Sequence, residues 1–91
     1  MNIFQSPTFF RYIKKVDFKF KTEIDKQILL ISKDPNLGEQ KKGDLNEVRI
    51  HKFKHSNCLY LLAYRFIDDE LQLIMIGTHE NFYRDLKKYI K

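Results

Sequence analysis

The spacing of hydrophobic residues changes along this chain of 91 residues, and that change constrains its fold more than any other feature. In the first third, apolar side chains recur every three or four positions, which is the period of an amphipathic helix. From residue 48 they alternate with polar residues, which is the period of a β-strand, until helical spacing returns at the end. A chain with this order of patterns is expected to form an α+β domain.

Two helices are predicted in the first third of the chain. Ser6 followed by Pro7 is a helix-start signal, since a hydroxyl caps the free backbone N–H groups and proline is tolerated in the first turn. The helical pattern loses phase around residues 16–18, which indicates a break between two helices. The second helix is predicted to end before Pro35, because the residue preceding a proline avoids the helical conformation. Its apolar face consists of Phe20, Ile24, Ile28 and Ile31.

Three strands and a final helix are predicted after a loop over residues 36–46. The first strand begins at Val48 and has about seven residues, and the others cover residues 59–66 and 71–76. A short strand at residues 2–5 completes the order β-α-α-β-β-β-α. We therefore predict a single domain over residues 1–91, with two helices on one face of a mainly antiparallel sheet of about four strands.

The local signals between these elements predict where the chain turns. Ser56-Asn57 and Asp68-Asp69 mark two tight turns between strands, because these residue types tolerate turn conformations. Gly77-Thr78 is expected to close the last strand and to open the final helix, with Thr78 as its candidate cap.

The composition excludes several classes of protein. With 43% hydrophobic residues, three glycines and two prolines, the chain is not a disordered tail. No apolar stretch approaches the roughly 20 residues of a membrane span, and we expect no secretory signal and no membrane partner. A single cysteine, Cys58, cannot form an internal disulfide or a cysteine-based zinc site. We expect a reducing cytoplasm as the compartment, and the net charge of +5 favours a polyanionic partner.

His79 and Tyr83 are the first candidates for chemistry. His79 is predicted where the last strand meets the final helix, and Tyr83 is four residues on, so both project from the same side. The partial positive charge of a helix N-terminus disfavours a charged imidazole, so His79 is expected to be mostly neutral near pH 7 and able to transfer a proton. Spacing alone leaves open the alternative of a helix-capping histidine beside an ordinary surface tyrosine.

A basic strand is the second candidate. With a period of two, Arg49, His51 and His55 share one face of the strand, while Lys52 and Lys54 share the other. Basic and aromatic groups on a strand bind phosphates and stack on bases. An edge strand that carries lysines to prevent pairing between sheets is the alternative.

Several motifs, together with the order of elements, connect the chain to a known family. The motifs are Asp34-Pro35 with Gly38 beyond it, Lys42-Gly43-Asp44-Leu45, Tyr60-Leu61-Leu62-Ala63-Tyr64 and Ile76-Gly77-Thr78-His79-Glu80-Asn81-Phe82-Tyr83-Arg84. In this arrangement the chain resembles the RelE/ParE toxins of bacterial type II toxin–antitoxin systems over nearly its whole length. The glycine-threonine-histidine ending, with an aromatic residue four positions after the histidine, is most similar to the histidine-type, YafQ-like branch. The resemblance implies a RelE-like fold.

The resemblance also implies an activity, which is the cleavage of messenger RNA on the ribosome without a metal or cofactor. The ribose 2′-hydroxyl attacks the adjacent phosphate, so the reaction needs a base, an acid and cations. By resemblance, His79 is the general acid or base, Tyr83 stacks on a base or contacts a phosphate, and His55 is a second catalytic histidine, with His51 as its competitor. The residues assigned to RNA binding are Arg49, His51, Lys52, Lys54 and Arg65.

The chain departs from the family pattern within its second long strand. Leu61 stands where many RelE-type members carry an arginine, and Leu59 stands where some histidine-type members have an acidic residue. Arg65, near the other end of that strand, either points into a cleft or pairs with Asp68 or Asp69.

Two alternative functions stay open at this point. One is a ParE-type toxin that inhibits DNA gyrase without cleaving RNA, and the other is an inactive member that acts only as the corepressor of its antitoxin. Each of the three functions implies a small antitoxin protein as partner, and the ribonuclease also implies the ribosome and messenger RNA.

Overall fold

The computed structural model describes residues 1–41, 47–80 and 82–90, with side chains of the last helix described as far as Lys88. The described residues form three helices and five strands: β1 (Asn2–Gln5), α1 (Pro7–Lys15), α2 (Phe18–Lys33), β2 (Glu39–Gln40), β3 (Arg49–His55), β4 (Cys58–Ile67), β5 (Glu70–Thr78) and α3 (Phe82–Ile90). One sheet contains all five strands in the order β1-β5-β4-β3-β2. Its pairs are antiparallel except for β1, which runs parallel to β5. The predicted α+β class and mainly antiparallel sheet are confirmed.

Side-chain caps begin both N-terminal helices, and the one at Ser6 is predicted from the sequence. The hydroxyl of Ser6 accepts a hydrogen bond from the Phe9 N–H at 3.0 Å, and the carboxylate of Asp17 accepts one from the Phe20 N–H at 2.8 Å. These bonds satisfy N–H groups that have no partner inside a helix. The predicted break between the helices and the end of α2 at Lys33 are both confirmed.

The sheet is covered on both faces, which gives the domain two hydrophobic cores. Helices α1 and α2 cover one face, which we call the α2 face, and α3 covers the other, which we call the α3 face. The α2-face core contains Phe9, Phe20, Ile24, Ile31, Phe53, Leu62, Tyr64, Leu71, Leu73 and Ile76. The α3-face core contains Val48, Ile50, Leu61, Ala63, Ile74, Phe82 and Leu86. Because side chains alternate along a strand, neighbouring residues of β4 enter different cores.

Two tight turns set the register of the central strands. Ser56 and Asn57 have φ values of 51° and 64°, and Asp68 and Asp69 have values of 53° and 62°. Positive φ at both central residues is characteristic of the type I′ turn, whose twist matches that of the flanking strands. Both turns lie where the sequence predicts them.

The structure corrects two details of the predicted elements. The sheet has five strands rather than about four, because β2 lies inside the predicted loop and is too short to show a period. Strand β5 includes Thr78, and α3 begins only at Phe82, so Thr78 is not a helix cap. The ladder continues past the predicted end, since the His79 N–H donates to the Leu59 carbonyl at 3.3 Å.

Some predicted features lie outside the described residues. These are the motif Lys42-Gly43-Asp44-Leu45 and Asn81 of the C-terminal motif. Within the part of the chain that is described, no helix is long and apolar enough to cross a membrane.

Candidate functional site

The register of three strands brings several of the predicted residues together on the α3 face. Lys54 of β3 lies opposite Leu59 of β4, whose carbonyl accepts the hydrogen bond from His79. Because neighbouring strands are about 4.8 Å apart, the backbones of Lys54 and His79 lie roughly 10 Å apart. Lys52 lies opposite Leu61, which belongs to the core beneath α3. The two lysines therefore share a face with His79.

His79 and Tyr83 contact each other at the edge of this face. Their ring centroids are 6.4 Å apart and their planes meet at 85°, which is an edge-to-face arrangement. The imidazole is exposed, whereas Tyr83 is half-buried against the α3-face core. The pair thus presents a proton-transfer group to solvent beside an aromatic ring held in place. Their roles in catalysis stay predictions.

Lys41 also belongs to this site, although sequence reasoning missed it. Its Nζ lies 5.1 Å from the centroid of the Tyr83 ring and 3.0 Å from Oε1 of Glu39. The hydrogen bond to Glu39 raises the pKa of Lys41, and the phenol of Tyr83 adds to this effect, whereas desolvation opposes it. Lys41 follows a strand of only two residues, which is too short to show the alternation of polar and apolar residues that identified the other strands. The hairpin places it here, since the Lys41 N–H donates to the Val48 carbonyl at 2.9 Å.

The edge of the α3 face near His79 is electropositive. Lys52 and Lys54 are exposed, and Lys41 is hydrogen-bonded to Glu39, which is close enough to Lys52 to be affected by its charge. Glu39 lies among these cations, and the hydrogen bond and charge of Lys41, followed by the charge of Lys52, lower its pKa. Clustered ammonium groups of this kind attract phosphate groups. Within the described residues, no group of three or more His, Cys, Asp or Glu side chains is placed to hold a metal ion.

His51 and His55 lie on the opposite, α2 face of the sheet. The Nε2 atom of His51 is 2.7 Å from Oε1 of Gln27 on α2. The ring of His55 stacks on Phe20, with centroids 4.7 Å apart and planes 10° apart. Neither histidine therefore lies on the face that carries His79, and the catalytic role of His55 and the RNA-binding role of His51 stay predictions. The physical reason is the alternation along β3, which turns these side chains away from the face that carries the lysines.

Arg49 lies on the α2 face as well, where its side chain donates hydrogen bonds to backbone carbonyls of the segment that follows α2. Its Nη1 donates to the carbonyl of Gly38 at 2.8 Å and to that of Asn36 at 3.4 Å. Next to it, the buried hydroxyl of Tyr64 donates to the Pro35 carbonyl at 2.7 Å and accepts from the Gly38 N–H at 2.8 Å. Burial raises the pKa of Tyr64. The Nη1 atom of Arg49 is thus engaged within the fold, on the face opposite His79, and the RNA-binding role of Arg49 stays a prediction.

Arg65 lies near the far end of the sheet. It pairs in register with Gln72 and lines a cavity of about 300 Å³ that also contacts Phe4. Of the two environments predicted for Arg65, a cleft or an ion pair with Asp68 or Asp69, the structure shows the cleft. Leu59, the neighbour of His79, is six residues earlier on β4, which corresponds to about 20 Å along the strand. Arg65 is therefore too distant to contact the same phosphate as His79, and its role in RNA binding stays a prediction.

The burial of His51 leads to a prediction about stability. Burial lowers the pKa of His51, so as the pH falls below about 6.5 the unfolded chain binds a proton that the folded chain resists. The free energy of unfolding should therefore decrease from about pH 7.5 to about pH 5.5. His51→Gln, which keeps a hydrogen-bonding amide but cannot ionise, should show a weaker decrease in melting temperature over this range.

The exposed His79 offers a matched control for that experiment. His79→Gln makes the same replacement at an exposed position and shows the effect of the substitution itself on the melting temperature. Equal slopes for the wild type and His51→Gln would contradict the prediction.

A comparison of sequences gives one family match. Residues 3–87 match the family profile of the ParE-like toxin of type II bacterial toxin–antitoxin systems. No curated protein sequence matches the chain.

Several solved structures have a similar fold. The toxin–antitoxin complex RelBE of E. coli matches with a TM-score of 0.71 and 17% identity, over 87% of this chain and 96% of the other. A double mutant of the E. coli toxin RelE in the free state matches with a TM-score of 0.73 and 16% identity, over 94% and 90%. The conserved hypothetical protein HP0894 from Helicobacter pylori matches with a TM-score of 0.52 and 21% identity, over 87% and 94%. At these identities the likeness shows the fold.

Proposed function

This chain belongs to the ParE-like toxins of type II bacterial toxin–antitoxin systems, and from this premise we propose that it is an endoribonuclease that cleaves messenger RNA on the ribosome. One observation carries the proposal: an exposed imidazole contacts a phenol ring at an edge of the sheet lined by lysines. The RelE-like fold supports it. In this proposal the toxin acts in the cytoplasm, and its partners are the ribosome, messenger RNA and a small antitoxin.

The antitoxin part of the proposal follows from charge and from a related complex. RelE is bound to an antitoxin, RelB, in the E. coli structure that shares this fold. An acidic and apolar segment would complement the lysines of the α3 face and would exclude RNA from His79. We therefore expect a short acidic protein to suppress the activity.

The proposed reaction uses only side chains. The 2′-hydroxyl of a ribose attacks the adjacent phosphorus and loses its proton, the bond to the 5′-oxygen breaks, and that oxygen gains a proton. His79 is suited to one of the two proton transfers, because histidine is the side chain most often used for general acid–base catalysis and its imidazole here is exposed to solvent. Lys52 and Lys54 would stabilise the negative charge that develops on the phosphate, and Tyr83 would hold a base or the phosphate in position.

The experiment that tests this proposal is an assay on translating ribosomes. Purified protein is added to ribosomes on a defined message, and primer extension maps new 5′ ends. We expect cuts inside codons that depend on the ribosome and disappear when the antitoxin is added. In cells, induced expression should arrest growth and produce the same cuts. Growth arrest with intact messages and an induced SOS response would overturn the proposal and would favour gyrase inhibition.

Removal of the strand lysines should weaken RNA binding in a way that depends on salt. For a single-stranded oligoribonucleotide with a 2′-deoxy residue at the cleavage position, the salt dependence reports the number of phosphate contacts. Each lost contact should make the negative slope of the logarithm of the association constant against log salt less steep by about 0.7. We expect Lys52→Ala and Lys54→Ala to show this less steep slope and to bind more weakly at low salt.

Lys33→Ala is the matched control, because it removes the same charge from an exposed position in the last turn of α2. It should leave the slope unchanged. If all three variants lost affinity equally, only the net charge of the protein would matter, and the α3 face would not be the binding surface.

A further inference from the structure

We propose that Lys41 and Glu39 form a positioning pair for Tyr83, with Glu39 holding the Lys41 ammonium against the phenol ring so that the ring and the ammonium stay oriented toward the phosphate. The inference rests on the proposed function and names two further residues of the same site. Neither residue lies in a motif that the sequence singled out.

Three contacts restrain Lys41 from different directions. Its backbone N–H is bonded to Val48, its ammonium is bonded to Glu39 at 3.0 Å, and the same ammonium lies 5.1 Å from the centroid of Tyr83. The side chain of Lys41 is 23% exposed, whereas that of Glu39 is 65% exposed. An ion pair at the surface contributes little by itself, but a cation held by a carboxylate and an aromatic face has few alternative rotamers.

Tyr83 is restrained by aromatic rings as well as by Lys41. Phe82 meets it edge to face with centroids 5.6 Å apart, and His79 meets it in the same manner at 6.4 Å. Lys41 occupies a position over the ring itself, where the negative face of the π-system attracts a cation. The orientation of Tyr83 is thus set jointly by α3, by the end of β5 and by the β2–β3 hairpin.

Because Glu39 is negatively charged, its replacement distinguishes two roles of this cluster: the positioning of Lys41 and Tyr83, and the electrostatic attraction of RNA. Glu39 lies among the lysines of the electropositive edge and opposes their attraction for phosphate. If attraction alone mattered, Glu39→Gln would bind RNA more tightly and cleave at least as fast. If Glu39 positions Lys41 and Tyr83, the same variant would bind at least as well but would turn over more slowly.

The test compares kcat and KM on ribosomes carrying a defined message. We expect Glu39→Gln to lower kcat about tenfold without raising KM, since displaced catalytic groups lose rate rather than affinity. Lys41→Met should lower kcat and raise KM, and Lys41→Arg should restore part of kcat because guanidinium also packs on aromatic faces. Lys33→Met, on α2, is the control for the loss of one lysine and should leave both constants unchanged.

A second measurement does not depend on cleavage. Proton NMR of the folded protein should show the Lys41 ε-methylene signals shifted upfield by the ring current of Tyr83. Glu39→Gln and Tyr83→Leu should both move these signals toward the values of free lysine. Unshifted signals in the wild type, or an unchanged kcat in Glu39→Gln, would overturn the inference. If the wild type left the message intact, the proposed function would be overturned. That result is distinct from the two results that would overturn the inference about Lys41 and Glu39.

Discussion

Replacement of His79 by alanine is expected to lower the rate of message cleavage by about 10²- to 10⁴-fold, which is the usual contribution of a general acid or base. The fold should tolerate the change, because the side chain is exposed and precedes α3 rather than packing in either core. The measurement is the single-turnover rate on programmed ribosomes, with the melting temperature determined in parallel. A variant that cleaves at the wild-type rate would remove His79 from the mechanism.

The same substitution at His55 distinguishes the two histidines. Family resemblance assigns both to catalysis, but the ring of His55 stacks on Phe20 on the other side of the sheet. We expect His55→Ala to retain most of the cleavage activity and to lose about 1 kcal/mol of stability, which is typical for one aromatic pair. A loss of activity equal to that of His79→Ala, in a folded protein, would contradict the placement of the site on the α3 face.

The largest expected loss of stability comes from Gly38→Ala. A Cβ at Gly38 would lie 2.8 Å from both Cε1 and the hydroxyl oxygen of Tyr64 and 3.1 Å from the carbonyl carbon of Ile50. Tyr64 is fully buried and its hydroxyl makes two hydrogen bonds, so it cannot move without losing them. We expect a loss of about 3 kcal/mol, at the upper end of overpacking effects, and a decrease in melting temperature of roughly 12–24 °C.

Gly77 provides the matched control for this substitution. Among the residues that the structure describes, a Cβ there would meet only Cδ1 of Phe82, at 3.6 Å, which is an ordinary contact distance. Gly77→Ala should therefore change the free energy of unfolding by less than about 1 kcal/mol. Both variants can be compared by urea denaturation. Similar losses at the two positions would show that the close approach of Tyr64 does not limit the residue at position 38.

The local features of the fold were predictable from neighbouring residues. The cap at Ser6, the break between α1 and α2, the end of α2 and the two type I′ turns depend on interactions within about four residues. The adjacency of His79 and Tyr83 belongs to the same class, since four positions separate them. The alternation along β3 also assigned its histidines and lysines to opposite faces correctly.

The sequence by itself therefore determined the class of fold, the boundaries of most elements and, within the candidate site, the adjacency of His79 and Tyr83. Only the tertiary structure decided that α3 covers the face bearing the lysines, that His51, His55, Arg49 and Arg65 lie elsewhere, and that Lys41 reaches Tyr83. The physical reason is the range of the forces involved. Capping and turn preferences act along a few residues, whereas the contact between Lys41 and Tyr83 joins positions 42 residues apart and exists only once the sheet and α3 have packed.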